Sequence, residues 1–363
     1  MLFVQVDDLK PGMRLGKPIY NRNGVLLYDR DSRLTMQAIY SIRNFGLMGL
    51  YILEPAEPVP PMSEEDINFE RFQTMAVFSI REDFELLSDG KKDKTVDWLC
   101  SLIIKNYANH ENKINYIQSL RSKEDFVYKH CLNVAILTAI IAGKLNLPAA
   151  RINLLVKAAL LHDIGAMTVA EMNNGEQSVE ELELCSKNSL EILSNQKELD
   201  LDIERVVMAM QDLVIHEEDE GAAEASKTNS GAAILYVADA YDRMTAMKSY
   251  EEPTSEVLAV RVLLQNPQLF DERAVNALIS GINILYPGVC VELSNKEKGL
   301  VVVENEENIF EPWVLCFTDN KLIDLSSSEV KEDLWIADVM KTMDNRIKLD
   351  PDLLQQYEEN KQE

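Results

Sequence analysis

The sequence predicts a mainly α-helical protein: a helical bundle core, a small α+β unit before it and a small β appendix after it. Three observations carry this. Apolar residues recur at helical spacing almost without a break from Ile67 to about Ile284. The first 54 residues instead alternate short β-like runs with turn signals, and after Tyr286-Pro287-Gly288 short runs rich in valine return.

In the amino-terminal unit, residues 1–54, FVQV is followed by Asp7-Asp8 and Pro11-Gly12, then by the turn from Asn21 to Gly24 before VLLY. A helix is expected from Leu34, where Leu34, Ile39, Ile42 and Phe45 share a face, and LMGLYIL returns to strand character. The segment EPAEPVPPMSEED carries four prolines and five acids in thirteen residues. Prolines block regular structure and acids keep a chain solvated, so residues 55–66 are expected to be a linker. Over residues 67–284, breaks at Asp89-Gly90, Pro148, Asn173 to Gly175, Glu220-Gly221, Pro253 and Pro267 divide the bundle into about eight helices. Residues 285–326, with VCVEL, LVVVEN, WVLCF and KLIDL between polar turns, are expected to give a β appendix of three strands. Residues 327–363 should open with a helix over SSSEVKEDLWIADVMKTM, capped by Ser327 or Ser328, and end in a frayed acidic tail.

The 363 residues hold 61 acids against 36 basic groups, a net charge of −25. Such a surface repels phosphate backbones and anionic membranes, so general nucleic-acid binding is not expected. Cys100, Cys131, Cys185, Cys290 and Cys316 make an odd number with no C-x-x-C pair, which fits reduced thiols. The start, MLFVQVDDLK, lacks a basic region leading into an apolar one, and the longest apolar run, near Val134 to Gly143, is half the ~20 residues that cross a bilayer. A cytoplasmic protein without membrane insertion is expected.

Only four histidines are present. His110, in NYANHENK, reads as part of a solvated helix face, whereas His130, His162 and His216 lie in or beside the apolar helical block. The sharpest signal is Leu160-Leu161-His162-Asp163-Ile164-Gly165, an imidazole and a carboxylate at the end of the apolar run KAALL. A carboxylate there costs several kcal/mol unless something pairs with it. Helix capping beside a satisfied core histidine is one solution, and a cation is another. His130 shares its helix with the apolar stripe Val127, Val134, Leu137 and Ile141. Asp239 lies inside GAAILYVADAYD, with Asp242 three residues on, on a neighbouring face. Few basic residues are expected near Asp239, and separate helices each offering an imidazole or carboxylate are how bundles build metal sites. Two imidazoles and two carboxylates suit Mn, Fe, Zn or Mg, with one divalent ion expected per chain.

The order His130, His162-Asp163, Asp239 resembles the HD superfamily of metal-dependent phosphohydrolases. HCLNVA, LLHDIG and VADAYDRMTAMKSYEEP resemble stretches of its HD-GYP branch, the cyclic di-GMP phosphodiesterases, over about residues 120–280. DLKPGMRLGKPIYNRNGVLL and YPGVCVELSNKEKGLVV resemble the segments that flank such domains. The resemblance implies an HD-type all-helical core, His130, His162, Asp163 and Asp239 as metal ligands, and a cyclic dinucleotide or another phosphoester as ligand. A second copy of the chain or a signalling protein would be its macromolecular partner.

The departures from the family pattern bear on activity. The lysine expected after Ile-Gly reads Ala166, and the histidine expected about twenty residues later reads Cys185. The paired histidines before the GYP tripeptide read Ile215-His216, and Glu220-Gly221-Ala-Ala-Glu-Ala-Ser replaces the tripeptide itself. The Arg-Pro-Tyr stretch reads Lys248-Ser249-Tyr250, and the glutamate one turn before the first histidine reads Phe126. A second cation would rest on Asp163, Cys185 and His216, a weak set. Asp163 and His216 are the catalytic candidates, and Cys185 joins the metal candidates. The sequence thus leads to an HD-GYP-like phosphodiesterase fold with reduced or lost hydrolysis of cyclic di-GMP. The alternatives are a non-catalytic binding or scaffolding module and a one-metal hydrolase of another phosphoester.

Overall fold

The computed structural model describes residues 2–21, 23–44, 49–53, 63–109, 112–116, 118, 121, 125–169, 178–216, 230–248, 253–305, 307–330 and 332–339. Among them are ten α-helices and ten strands. The chain divides into two compact units, Met1–Thr254 with Val262–Ile282, and Ser255–Arg261 with Asn283–Glu363.

The first unit opens with a three-stranded antiparallel sheet in which β5 (Gly49–Leu53) lies between β1 (Leu2–Gln5) and β2 (Arg14–Leu15). Leu2 faces Ile52 and Arg14 faces Leu53. A second ribbon pairs β3 (Ile19–Tyr20) with β4 (Leu26–Tyr28). Its turn closes because the Asn21 side-chain oxygen accepts the backbone N–H groups of Asn23 and Val25, while Gly24 adopts φ +72°, which a side chain would disfavour. Helix α1 (Met36–Asn44) buries Ala38, Ile39 and Ile42 against Leu15, Leu34, Leu50 and Ile52.

Most of the expected linker lies outside the described residues, but its last three acids are not linker. Ser63 caps α2 (Glu64–Ser88) in a reciprocal box with Asp66, at 3.1 and 3.0 Å. Glu64, Glu65 and Asp66 therefore sit where a helix dipole favours negative charge. The remaining helices of this unit are α3 (Val96–Tyr107), α4 (Phe126–Lys144), α5 (Ala149–Leu161), α6 (Val179–Ser194), α7 (Leu201–Ile215), α8 (Ser230–Thr245) and α10 (Glu272–Gly281). Helix α9 (Glu256–Gln265) runs across the division between the units. The expected breaks at Asp89-Gly90 and Pro148 fall at the end of α2 and the cap of α5. Those at Asn173 to Gly175 and Glu220-Gly221, with His110, lie outside the described residues.

Helix α4 is the axis of the bundle. By length and composition it could cross a membrane, yet 83% of its apolar window is buried inside the fold. It packs against α2, α3, α5, α8 and α10, and so has no solvent face along most of its length. That explains why His130 and Asn133, midway along it, are removed from water.

The second unit carries a five-stranded antiparallel sheet rather than the three strands expected. Its order is β10 (Ile336–Val339), β6 (Cys290–Leu293), β7 (Lys298–Val303), β8 (Trp313–Cys316), β9 (Leu322–Asp324). The helix expected over SSSEVKEDLWIADVMKTM is corrected by this sheet. The Val330 N–H closes a turn on Ser327, those of Asp333 and Leu334 close on Val330, and Ile336–Val339 pairs with β6 through a bulge. Burying Ile336 and pairing with the edge of β6 outweighs the helical pattern. Residues 340–363, the end of the expected helix and the expected tail, lie outside the described residues.

Candidate metal centre

Four side chains from three helices and a turn converge inside the first unit. His130 comes from the middle of α4, His162 from the end of α5, Asp163 from the turn that follows it, and Asp239 from the middle of α8. Their ligand atoms all lie within 4.8 Å of one another, and all four residues are buried. The turn after α5 can approach α6 only because residue 165 is glycine. Its N–H donates to Ser189 Oγ at 2.9 Å, and a Cβ there would strike the Cys185 carbonyl and the Ser189 backbone. Gln211 of α7 donates to the His162 carbonyl at 2.7 Å, which ties a third helix to the same turn.

The hydrogen bonds assign the imidazole tautomers. His162 Nδ1 lies 2.7 Å from the Ala159 carbonyl, so it carries the proton and donates it. His130 Nδ1 lies 2.7 Å from Asp242 Oδ2 and does the same. Both rings then turn an Nε2 lone pair inward, where the two nitrogens are 3.3 Å apart. Asp239 Oδ1 is 2.8 Å from His130 Nε2 and 3.3 Å from His162 Nε2, and Asp163 Oδ2 is 3.6 Å from each. Acceptors facing acceptors at these distances repel unless a proton or a cation lies between them. Imidazoles held from behind by a carboxylate or a carbonyl are the arrangement that supports metal ligation. The donor set therefore fits one divalent ion held by two nitrogens and two carboxylate oxygens.

Charge leads to the same conclusion. Arg243, four residues after Asp239 on α8, places Nε 2.8 Å from Asp239 Oδ2 and Nη2 2.8 Å from Asp163 Oδ2. One guanidinium against two buried carboxylates leaves a net negative charge. Burial raises the Asp239 carboxyl, but Arg243 and the imidazoles outweigh it and hold it well below the usual range. Burial alone would push the His162 imidazole down, yet the Asp163 charge overrides it and holds the ring well above its ordinary value. The pocket thus recruits positive charge.

Behind His130 lies a second, fully buried layer. Arg121 grips Asp242 with Nη1 at 2.7 Å and Nη2 at 2.5 Å, and Gln118 and Asn133 each donate to Asp242 Oδ1 at 3.1 Å. Phe126 stacks on the His130 ring at 5.6 Å and 19°. The aromatic ring that replaces the expected glutamate thus packs against the first imidazole.

The other candidates stand apart. Cys185 is buried on α6 and lines a small cleft with Asp163, Arg243, Met210 and Ile215, but its sulfur is not among the converging ligand atoms. Burial, then the Asp163 charge, raises its thiol well above the ordinary value, so it is protonated and a poor ligand. His216 caps the end of α7 and is exposed, because Ile215 takes the position that faces the cleft and the next residue turns away. Ala166 is buried in the turn. The segment in place of GYP, and Ser249-Tyr250, lie outside the described residues. A larger cavity of about 160 Å³ between α2, α4 and the strands β3 and β5 does not open on the four residues.

Sequence reading missed two arginines, and the expectation of few basic groups near Asp239 is corrected by Arg243. Arg243 was within reach of it, since residues four apart share a helix face. Arg121 was not, because only the tertiary fold brings it to Asp242, 121 residues away.

Comparison with known proteins gives a consistent picture. Residues 127–244 match the family model for the HD domain. The chain is 23% identical over 338 residues to the cyclic di-GMP phosphodiesterase PA4108 of Pseudomonas aeruginosa, an alignment covering 84% of this chain and 80% of that protein. No solved structure matches it. The matched span holds all four converging residues, which bears out the resemblance read from their order. The matched part of the helical core, which carries the site, is an HD domain.

Proposed function

We propose that this chain is a divergent, cytoplasmic HD-GYP-like protein of cyclic di-GMP signalling. In this reading it holds one divalent ion at His130, His162, Asp163 and Asp239 and hydrolyses cyclic di-GMP weakly or not at all. The observation that supports it most is the inward convergence of two Nε2 lone pairs and two carboxylates. The ligand class rests on the Pseudomonas relative, which is named for that activity.

When bound, an ion of Mn, Fe, Zn or Mg polarises a phosphoryl oxygen and acidifies a water. The chain's own residues prepare the site. Asp242 holds His130 with Nε2 facing inward, the Ala159 carbonyl does the same for His162, and Asp163 sits at the mouth of the cleft beside Arg243. Three features argue for reduced turnover. Ala166 offers no cation to phosphate, and losing one such contact commonly costs about 3–4 kcal/mol of transition-state stabilisation. The Cys185 thiol is protonated, and His216 faces solvent. Arg243 directs its charge to two carboxylates. These features also favour the second reading, a binding or scaffolding module without turnover.

Cyclic di-GMP hydrolysis in Mn and Fe, measured beside PA4108, tests the proposal together with calorimetric binding. Binding with a rate at least ~100-fold below the relative is expected, given the size of the missing contact. Residual turnover should vanish in His162→Ala. A rate equal to the relative's overturns the reduced-activity reading, and the absence of both binding and hydrolysis overturns the ligand class.

A further inference from the structure

Arg243 lies against both carboxylates of the site. Asp239 presents Oδ1 to the imidazoles and Oδ2 to the guanidinium, while Asp163 Oδ2 lies 3.6 Å from each Nε2 and 2.8 Å from Arg243 Nη2. The planar fork therefore takes the outer oxygen of Asp239 and, on Asp163, the same oxygen that faces the two histidines. In a two-metal centre a second cation sits about 3.5–4 Å from the first and shares a bridging carboxylate with it. Arg243 takes Asp239 Oδ2 and competes for Asp163 Oδ2, two of the carboxylate oxygens that such a cation could use. Its charge is permanent, and its side chain is three-quarters buried. The adjoining cleft offers a second ion little else: beyond Asp163 and Arg243 its lining holds Cys185, a Ser186 already bonded to Gln211, and apolar side chains such as Met210 and Ile215.

We propose that Arg243 is a built-in substitute for a second metal ion: its guanidinium neutralises Asp163 and Asp239, aims them at the histidines and limits the chain to one divalent cation. The proposal rests on the one-ion reading above. Arg243 acts here as a positioning residue, through the two carboxylates.

The test is Mn²⁺ stoichiometry by calorimetry and elemental analysis, with electron paramagnetic resonance of the loaded protein, for the wild type, Arg243→Lys, Arg243→Gln and Arg243→Ala. The wild type and the lysine variant, which keeps a cation there, should bind one ion and give the spectrum of an isolated Mn²⁺. The glutamine variant, which keeps much of the side-chain bulk, and the alanine variant should each bind a second ion and show exchange coupling between the two. One ion in both neutral variants overturns the role of Arg243. Two ions in the wild type overturn it as well, while leaving metal binding intact. No ion in any variant overturns the one-ion reading itself, and this inference falls with it.

Discussion

Asp242→Asn separates the layer behind His130 from the ligands in front of it. Asp242 is fully buried, is gripped by Arg121 at two points and receives the His130 Nδ1 proton. Burial raises its carboxyl, but Arg121 and His130 hold it far below the usual range. Neutralising it leaves the Arg121 guanidinium buried without the carboxylate that grips it, and breaking a buried pair in this way costs about 3–5 kcal/mol. For a unit of this size about 1 kcal/mol moves Tm by roughly 2–4 °C, so a fall of about 10 °C is expected. An asparagine amide can also donate to Nδ1, which would shift the His130 proton to Nε2 and turn a ligand into a donor. Mn²⁺ affinity should then fall about 10- to 100-fold, as for other partners of ligating histidines.

The sign of the pH effect follows from the lowered carboxyl. Its contribution is complete above the unfolded value of about 4 and is lost as pH falls toward the lower folded value. In metal-free protein, the stability gap between wild type and variant should be flat over roughly pH 5–8 and narrow below about pH 4. The double variant Arg121→Met, Asp242→Leu should recover part of the Tm, since the unpaired charge is gone, but not the Mn²⁺ affinity, since His130 still lacks its acceptor. Denaturant and thermal unfolding across pH, with Mn²⁺ calorimetry, read all three. A Tm within about 2 °C of wild type for Asp242→Asn would refute the reasoning, because a buried guanidinium cannot lose the carboxylate that grips it so cheaply.

The remaining predictions concern the ligands and the turn. Asp163→Ala and His162→Ala should each reduce metal content from about one ion per chain to less than a tenth of that, by loss of a ligand. His216→Ala and Cys185→Ser should leave it unchanged; a loss of metal in either would show that the ligand set is larger than four. Gly165→Ala should destabilise the protein by about 1–3 kcal/mol, since the new methyl strikes the backbone of α6, and calorimetric unfolding at wild-type Tm would refute that close approach.

Much of this protein is determined by local sequence. The apolar periodicity of α4, the His-Asp step ending α5 and the carboxylate within α8 follow from short-range pattern, and they name the four residues that meet. Where the pattern was read too simply, a neighbouring element decided. The acids of Glu64–Asp66 resemble a solvated linker until Ser63 caps them, and the segment around Ile336 reads as a helix until β6 offers an edge to pair with. Tertiary structure alone determined which charges face each other. Arg121 reaches Asp242 across 121 residues and Arg243 closes on Asp163 across 80, while Ile215 takes the cleft and leaves His216 outside. Periodicity reports which face of a helix is buried. The partner of a buried charge is set by where distant helices cross, and a pattern one helix long carries no information about that.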